Sequence, residues 1–194
     1  MAPPEIDPDT LERARRGDRN AWRALVLRYQ NLVFASAARV LGPAAPEVPD
    51  VAQDAMLKVL QALPTFDPDG GARLSTWIAT ITLRTAIDAG RRRRAVVPLE
   101  ALDDAPPTDL HGLDDVIDDA IARGRLSRAI ETLSPEQRAA MQLRVEHDLS
   151  YEEIASALRV EVGTVKSRLA RATAALAAAL SPRTRREVQE PRHG

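Results

Sequence analysis

No cysteine occurs in this chain, and only six residues are aromatic, two each of Trp, Tyr and Phe. The first absence excludes disulfides, thiolate catalysis and cysteine-ligated zinc. The second makes each ring worth tracing individually. The three histidines, His111, His147 and His193, are far apart, and no H-E-x-x-H pattern accompanies them. No apolar run approaches the ~18–20 residues needed to span a bilayer, and the N-terminus MAPPEIDPDT is acidic and proline-rich. No nucleophile–base pair, metal set or phosphate loop appears either. The expectation is a soluble, cytoplasmic protein that is not an enzyme, has no catalytic residue, binds no metal or cofactor and does not insert in a membrane.

Positive charge is missing from one segment in particular. Residues 99–120 hold eight acids and no Lys or Arg, whereas residues 1–98 hold 14 Lys/Arg against 11 Asp/Glu and residues 121–194 hold 13 against 9. The formal net charge of −1 therefore hides two mildly basic bodies separated by an acidic connector. A length of 194 residues suffices for two small cores, and the 14 prolines gather in a few loops. We expect an all-α chain of two small helical domains, 1–95 and 121–180, joined by a flexible acidic linker over 96–120 and ending in a polar tail, 181–194.

The stretch Ser150–Arg171, SYEEIASALRVEVGTVKSRLAR, reads as two short helices joined by a tight turn. Ser150 and Glu153 form an S-x-x-E capping box, and Ile154, Ala155 and Leu158 give the first helix one apolar face. Residues 159–161 break the period. From Val162 onward, Val165, Leu169, Ala172 and Leu176 share one side, Ser167, Ala170 and Arg171 the other, with Lys166 and Arg168 flanking. A recognition helix has this layout, and so does an amphipathic surface helix with solvated charges.

Towards the N-terminus, Asp9–Arg19 reads as a short polar helix and Ala21–Leu41 as a longer one. Gly42–Pro49 is a loop by its three prolines. In the next helix, Asp50–Leu63, Ala52, Met56, Val59 and Leu63 share the expected buried face. Asp50, Gln53, Asp54 and Gln61 surround Leu57 on the reverse. An apolar residue ringed by acids and amides suits a protein-docking face, although single exposed leucines are also common. The loop Pro64–Gly71 carries Phe66, and the helix from Arg73 to Arg94 buries Leu74, Ile78, Ile81 and Thr85. Arg73, Trp77, Thr80, Arg84 and Arg91 form an adjoining stripe. Rings and cations so placed suit unpaired nucleic acid, in which bases stack and phosphates pair, while Trp77 also fits an ordinary core position. After the connector, Ile121, Leu126, Ile130 and Leu133 mark one helix. Ser134-Pro135-Glu136-Gln137 starts another, supported by Met141 and Val145.

These residues carry a family resemblance. DVAQDAMLKVLQALPTFDPDGG with STWIATITLRTAIDAGRRRR resembles region 2 of the extracytoplasmic-function sigma factors of bacterial RNA polymerase. LSPEQRAAMQLRVEHDLSYEEIASALRVEVGTVKSRLARA is similar to their region 4. The likeness runs from about Leu11 to Leu180. It implies a promoter-specificity factor that docks on the clamp helices of the polymerase largest subunit through Asp50, Gln53, Asp54, Leu57 and Gln61, with the flap of the second-largest subunit as a further contact. It also implies −10 recognition by Phe66, Asp67, Arg73, Trp77, Thr80, Arg84, Arg91 and Arg92. Recognition of the −35 element falls to Thr164, Lys166, Ser167, Arg168 and Arg171. The connector would thread the polymerase cleft, and an anti-sigma factor would be the regulatory partner. Three positions depart from the family habit: Arg84 stands where Asn is frequent, Glu161 where Ser is usual, and Ala170 where a larger side chain is common. The alternative is a sigma-like decoy that binds an anti-sigma factor without touching promoter DNA.

Overall fold

The computed structural model describes residues 5–96, 124 and 126–180, and all regular structure among them is helical. α1 (Pro8–Arg15) and α2 (Arg19–Leu41) begin at aspartate caps: Asp7 accepts from the Thr10 amide and Asp18 from the Ala21 amide, each at 2.8 Å. Gly17, at φ +87°, turns the chain between them in the left-handed region that a side chain would disfavour. α3 (Val48–Ala62) starts two residues earlier than its sequence pattern predicts, because Pro49 falls in the first turn, where a helix needs no amide donor. Its fully buried residues are Val48, Val51, Ala55 and Val59, while Ala52 and Met56 are half-buried. The buried face is therefore rotated by about one residue from the expected one.

α4 (Leu74–Val96) departs most from expectation. Besides Leu74, Ile78 and Thr85, it buries Thr76, Thr82, Leu83, Ala86 and Ile87, whereas Ile81 is only half-buried. A single amphipathic stripe cannot account for this. α4 is a central helix with neighbours on two sides: α2 and α3 on one, and the C-terminal helices on the other.

Those C-terminal helices are α5 (126–132), α6 (Pro135–Glu146), α7 (Tyr151–Leu158) and α8 (Val162–Leu180). Both predicted capping boxes form. The Ser134 hydroxyl accepts from the Gln137 amide while the Gln137 side chain accepts from the Ser134 amide, and Ser150 and Glu153 repeat the exchange. Arg159 ends α7 in the left-handed conformation, at φ 54°, and donates its amide to Ala155 and Ser156. The break at 159–161 is thus a tight turn into α8, the helix-turn-helix geometry. Val165, Leu169 and Ala172 are buried as expected; Leu176 is half-buried, and Val145 of α6 is exposed instead of packed.

Two apolar clusters hold the molecule. One lies wholly in the N-terminal half and includes Leu11, Leu25, Tyr29, Val33, Val59, Leu63, Phe66 and Ile78. The other joins Val40, Leu41, Val48, Leu83, Ala86 and Ile87 to Ala139, Ala140, Leu143, Ile154, Leu158 and Val165. The two halves meet in a continuous seam.

Candidate nucleic-acid interface

Three groups of predicted side chains occupy three surfaces. On α3, Asp50, Gln53, Leu57 and Gln61 are exposed, Leu57 by 50 %, and Asp54 pairs with Lys58 at 2.9 Å. Lys58 in turn donates to the Thr85 hydroxyl of α4 at 3.4 Å. The structure thus keeps an apolar residue in water among acids and amides.

The α4 stripe is different, because most of its cations are already engaged. Arg73 sits 3.4 Å from Glu5, whose carboxylate also accepts from the Ser75 hydroxyl at 2.6 Å and amide at 3.3 Å, capping the start of α4. Tyr29 donates to the same carboxylate at 3.2 Å, and burial, reinforced by that negative charge, pushes its hydroxyl up to about 12. Arg84 donates from Nε to the Ala157 carbonyl at 2.5 Å and from Nη2 to the Ser156 carbonyl at 3.2 Å. Burial, and the nearby Arg159 charge, lower its affinity for its proton without removing it. Arg91 lies 2.9 Å from Glu136 and Arg94 3.9 Å from the same acid. Arg92 is exposed and, among the described residues, has no ion-pair partner.

Phe66 requires a correction. It is only 4 % exposed, and its ring packs against Trp77 with centroids 5.2 Å apart. The ring is unavailable to an unstacked base; it supports the loop from below and holds Trp77, itself half-buried, at the surface. A loop position suggested exposure, but a ring with a second ring in reach buries instead. Asp67, in contrast, is exposed and accepts from the Asp69 amide at 3.0 Å, shaping the turn over residues 67–71. Thr80 spends its hydroxyl on the Thr76 carbonyl at 3.0 Å.

On α8, Lys166 and Arg171 are exposed, Thr164 and Ser167 half-buried, and Ser167 donates to the Thr164 carbonyl at 3.0 Å. Arg168 leans towards the seam: burial lowers its proton affinity, the Glu136 carboxylate opposes that, and Arg91 adds to it. The left-handed Arg159 and the α7 cap set the angle at which α8 presents this face.

Sequence reasoning missed the polar fasteners of the seam. Gln142 donates to Ser36 at 2.8 Å within the buried contact. Arg39 pairs with Glu146 at 3.2 Å. Arg138 gathers the carbonyls of Val40 (3.1 Å), Ile130 (2.9 Å) and Glu131 (2.6 Å). His147 Nδ1 lies 3.2 Å from the Thr76 hydroxyl. Apart from the contacts of Arg138 with Ile130 and Glu131, each links residues tens of positions apart and leaves no local signal.

With this geometry in place, comparison with known proteins decides the family. Sigma-70 region 2 matches residues 25–96, and Sigma-70, region 4, matches residues 123–176. The chain belongs to the extracytoplasmic-function sigma factors. It is 35 % identical over 94 % of its length to the RNA polymerase sigma-H factor of Pseudomonas aeruginosa, covering 97 % of that protein. It is 32 % identical over 93 % to the ECF RNA polymerase sigma-E factor of Escherichia coli K12, again covering 97 %. Among solved structures, it resembles the Bartonella quintana sigma factor RpoE crystallised with the anti-sigma factor NepR, at a TM-score of 0.55 and 25 % identity, covering 81 % of this chain and 95 % of that one. As a sigma factor, the chain is a transcription initiation factor whose partners are core RNA polymerase and promoter DNA. No helix among the described residues is long and apolar enough to cross a membrane.

Proposed function

We propose that the two halves divide promoter reading between them, over residues 1–95 and 121–180, with 96–120 as the linker and 181–194 as a tail. Asp50, Gln53, Asp54, Leu57 and Gln61 dock on the clamp helices of the largest polymerase subunit, and the C-terminal half meets the flap of the second-largest. The loop at Asp67, with Arg73, Trp77, Thr80, Arg84, Arg91 and Arg92, captures the −10 strand, Phe66 serving as its underlying support. On α8, Ser167 and Arg171 meet base edges with Thr164 beside them, while Lys166 and Arg168 meet phosphates. The linker threads the polymerase cleft. The chain acts in the cytoplasm, catalyses nothing itself and uses the active site of the polymerase. An anti-sigma factor is its regulatory partner, as the complex of the Bartonella relative suggests.

The observation that carries this reading is the pairing of an exposed Leu57 among acids on α3 with free cations on the second helix of a helix-turn-helix. The test is transcription from a promoter library by purified core polymerase with and without the chain. No opened promoter and no complex with core would overturn the reading. Binding to an anti-sigma factor with no promoter activity would instead leave the decoy. Leu57→Asp should abolish binding to core while leaving the circular dichroism spectrum unchanged. If binding survives, the docking face lies elsewhere.

A further inference from the structure

The start of α4 is capped from a distance. The Arg73 carbonyl accepts the Trp77 amide at 3.0 Å, which makes Arg73 the capping residue of this helix. Arginine is a poor choice there. Its guanidinium carries only donors, so it cannot satisfy the free amides of a first turn, and its charge sits at the positive pole of the helix. Glu5, 70 positions before Ser75, supplies what is missing: its Oε1 accepts from the Ser75 hydroxyl and amide and lies 3.4 Å from Arg73 Nε. Oε2 accepts from the Tyr29 hydroxyl, which itself accepts from the Ile6 amide at 3.1 Å. Tyr29 is completely buried in the N-terminal cluster, and burial keeps its hydroxyl protonated, hence donating, at any ordinary pH. The carboxylate is thus fixed on both oxygens.

A serine or aspartate at position 73 would cap α4 locally. The chain instead places a cation there and brings a carboxylate to hold it. The hold is one-sided. Glu5 meets Arg73 through Nε, neither Nη group has a partner among the described residues, and the Arg73 side chain is 62 % exposed. Trp77, one turn on, shares this face of α4 and stands half-buried on Phe66. A guanidinium held by one edge beside a supported ring offers a phosphate two donors and a base a surface.

We propose, resting on the promoter reading above, that Glu5 is a positioning residue for the −10 strand: it holds Arg73 by Nε so that both Nη groups meet one backbone phosphate beside Trp77. Holding the side chain beforehand removes much of the cost of ordering it when DNA binds, a factor of about two- to tenfold in affinity. The carboxylate also repels the phosphate. Across the width of a guanidinium, in water at physiological salt, that repulsion is worth less than about twofold. Ordering outweighs it.

A double-mutant cycle on the full chain assembled with core polymerase provides the test. The probe is a single-stranded oligonucleotide bearing the non-template −10 sequence of an opened promoter, titrated by fluorescence anisotropy over a range of salt. Arg73→Ala should weaken binding to all such strands and flatten the salt slope by about 0.7, the single-strand value for one phosphate. Glu5→Gln keeps an acceptor for Ser75 and loses only the charge. It should weaken binding about two- to fivefold with Arg73 present, and leave it unchanged or slightly tighter in Arg73→Ala. Tyr29→Phe, which leaves the ring in the core but frees Oε2, should act in the same direction and again only with Arg73. An equal loss from Glu5→Gln in both backgrounds would make Glu5 a helix cap and nothing more. Unchanged or tighter binding by Glu5→Gln with Arg73 present would overturn the positioning, tighter binding meaning that the carboxylate withholds Arg73 from DNA. If Arg73→Ala alters neither affinity nor salt slope, both the −10 assignment of Arg73 and the role of Glu5 fail.

Discussion

The two apolar clusters are built differently. In the N-terminal cluster, Tyr29 and Phe66 are buried, Trp22 and Trp77 pack against it, and every member comes from residues 6–81. The seam cluster contains no aromatic residue; its buried members are aliphatic, Ala37, Ala86, Ala139, Ala140 and Ala155 among them, and it is backed by hydrogen bonds such as that from Gln142 to Ser36. Large rings remove much apolar area per residue and lock to one another, whereas small residues allow helices to approach closely while each buries little. Polar fasteners can also be exchanged for water or a competing ligand at small net cost.

The largest expected effect separates them directly. Ile78 is completely buried in the N-terminal cluster, and Ile78→Ala should cost about 2–5 kcal/mol in urea denaturation. Ala86 is also completely buried, one turn before Gly90, where an added Cβ would lie 2.9 Å from Pro135 Cγ. Ala86→Leu overpacks the seam by about 1–3 kcal/mol, and should part the halves without unfolding them. Small-angle scattering would then show expansion while the helical circular dichroism stays unchanged. Equal loss of helix in both variants would erase the distinction between the clusters.

A smaller effect distinguishes free cations from engaged ones. Lys166 and Arg171 are exposed, while Arg91 is paired with Glu136. Arg171→Ala should cost about 1–3 kcal/mol at a preferred −35 site and relax the preference there, whereas Lys166→Ala should weaken all sites alike and reduce the salt slope by about one. Titrations of duplexes over a range of salt would separate the two. A uniform loss from both variants would reduce Arg171 to a phosphate contact.

Much of this was legible in the sequence because it is local. Both capping boxes join residues three apart, the turn after Leu158 is a break in period, and the Pro64–Gly71 loop is punctuated by its own residues. The seam was not legible. Its ties join Arg84 to Ala157, Arg91 to Glu136 and Arg39 to Glu146, residues 73, 45 and 107 positions apart, chosen from many equivalent cations and acceptors. Helix periodicity places Arg84 on a stripe but does not say whether DNA or a neighbouring helix faces that stripe. Hence periodicity leaves the second buried face of α4, with Leu83, Ala86 and Ile87, unmarked beside that stripe. Phe66 misled for the same reason: the ring that covers it, Trp77, belongs to the next helix.

The smallest prediction concerns pH. His147 ends α6 at the seam, its Nδ1 beside Thr76 and its Nε2 buried without a protein partner. Burial holds it below its ordinary value of 6.5; Glu146 on α6 pulls the other way, while Arg73 before α4 and Arg39 on α2 depress it further. The joined halves therefore bind this proton less well than a released His147 would. The contact between the halves is at full strength above about pH 6.5 and weakens as pH falls below it, by at most about 1.4 kcal/mol for each pH unit. Glu136 does not blur this window. It too is depressed, so its contribution persists above its ordinary 4.5 and is lost only below that. Between these limits, energy transfer between dyes on the two halves should fall on acidification, and His147→Asn should flatten the response. A slope unchanged in His147→Asn would assign the effect to another group and leave the seam held by its cations alone.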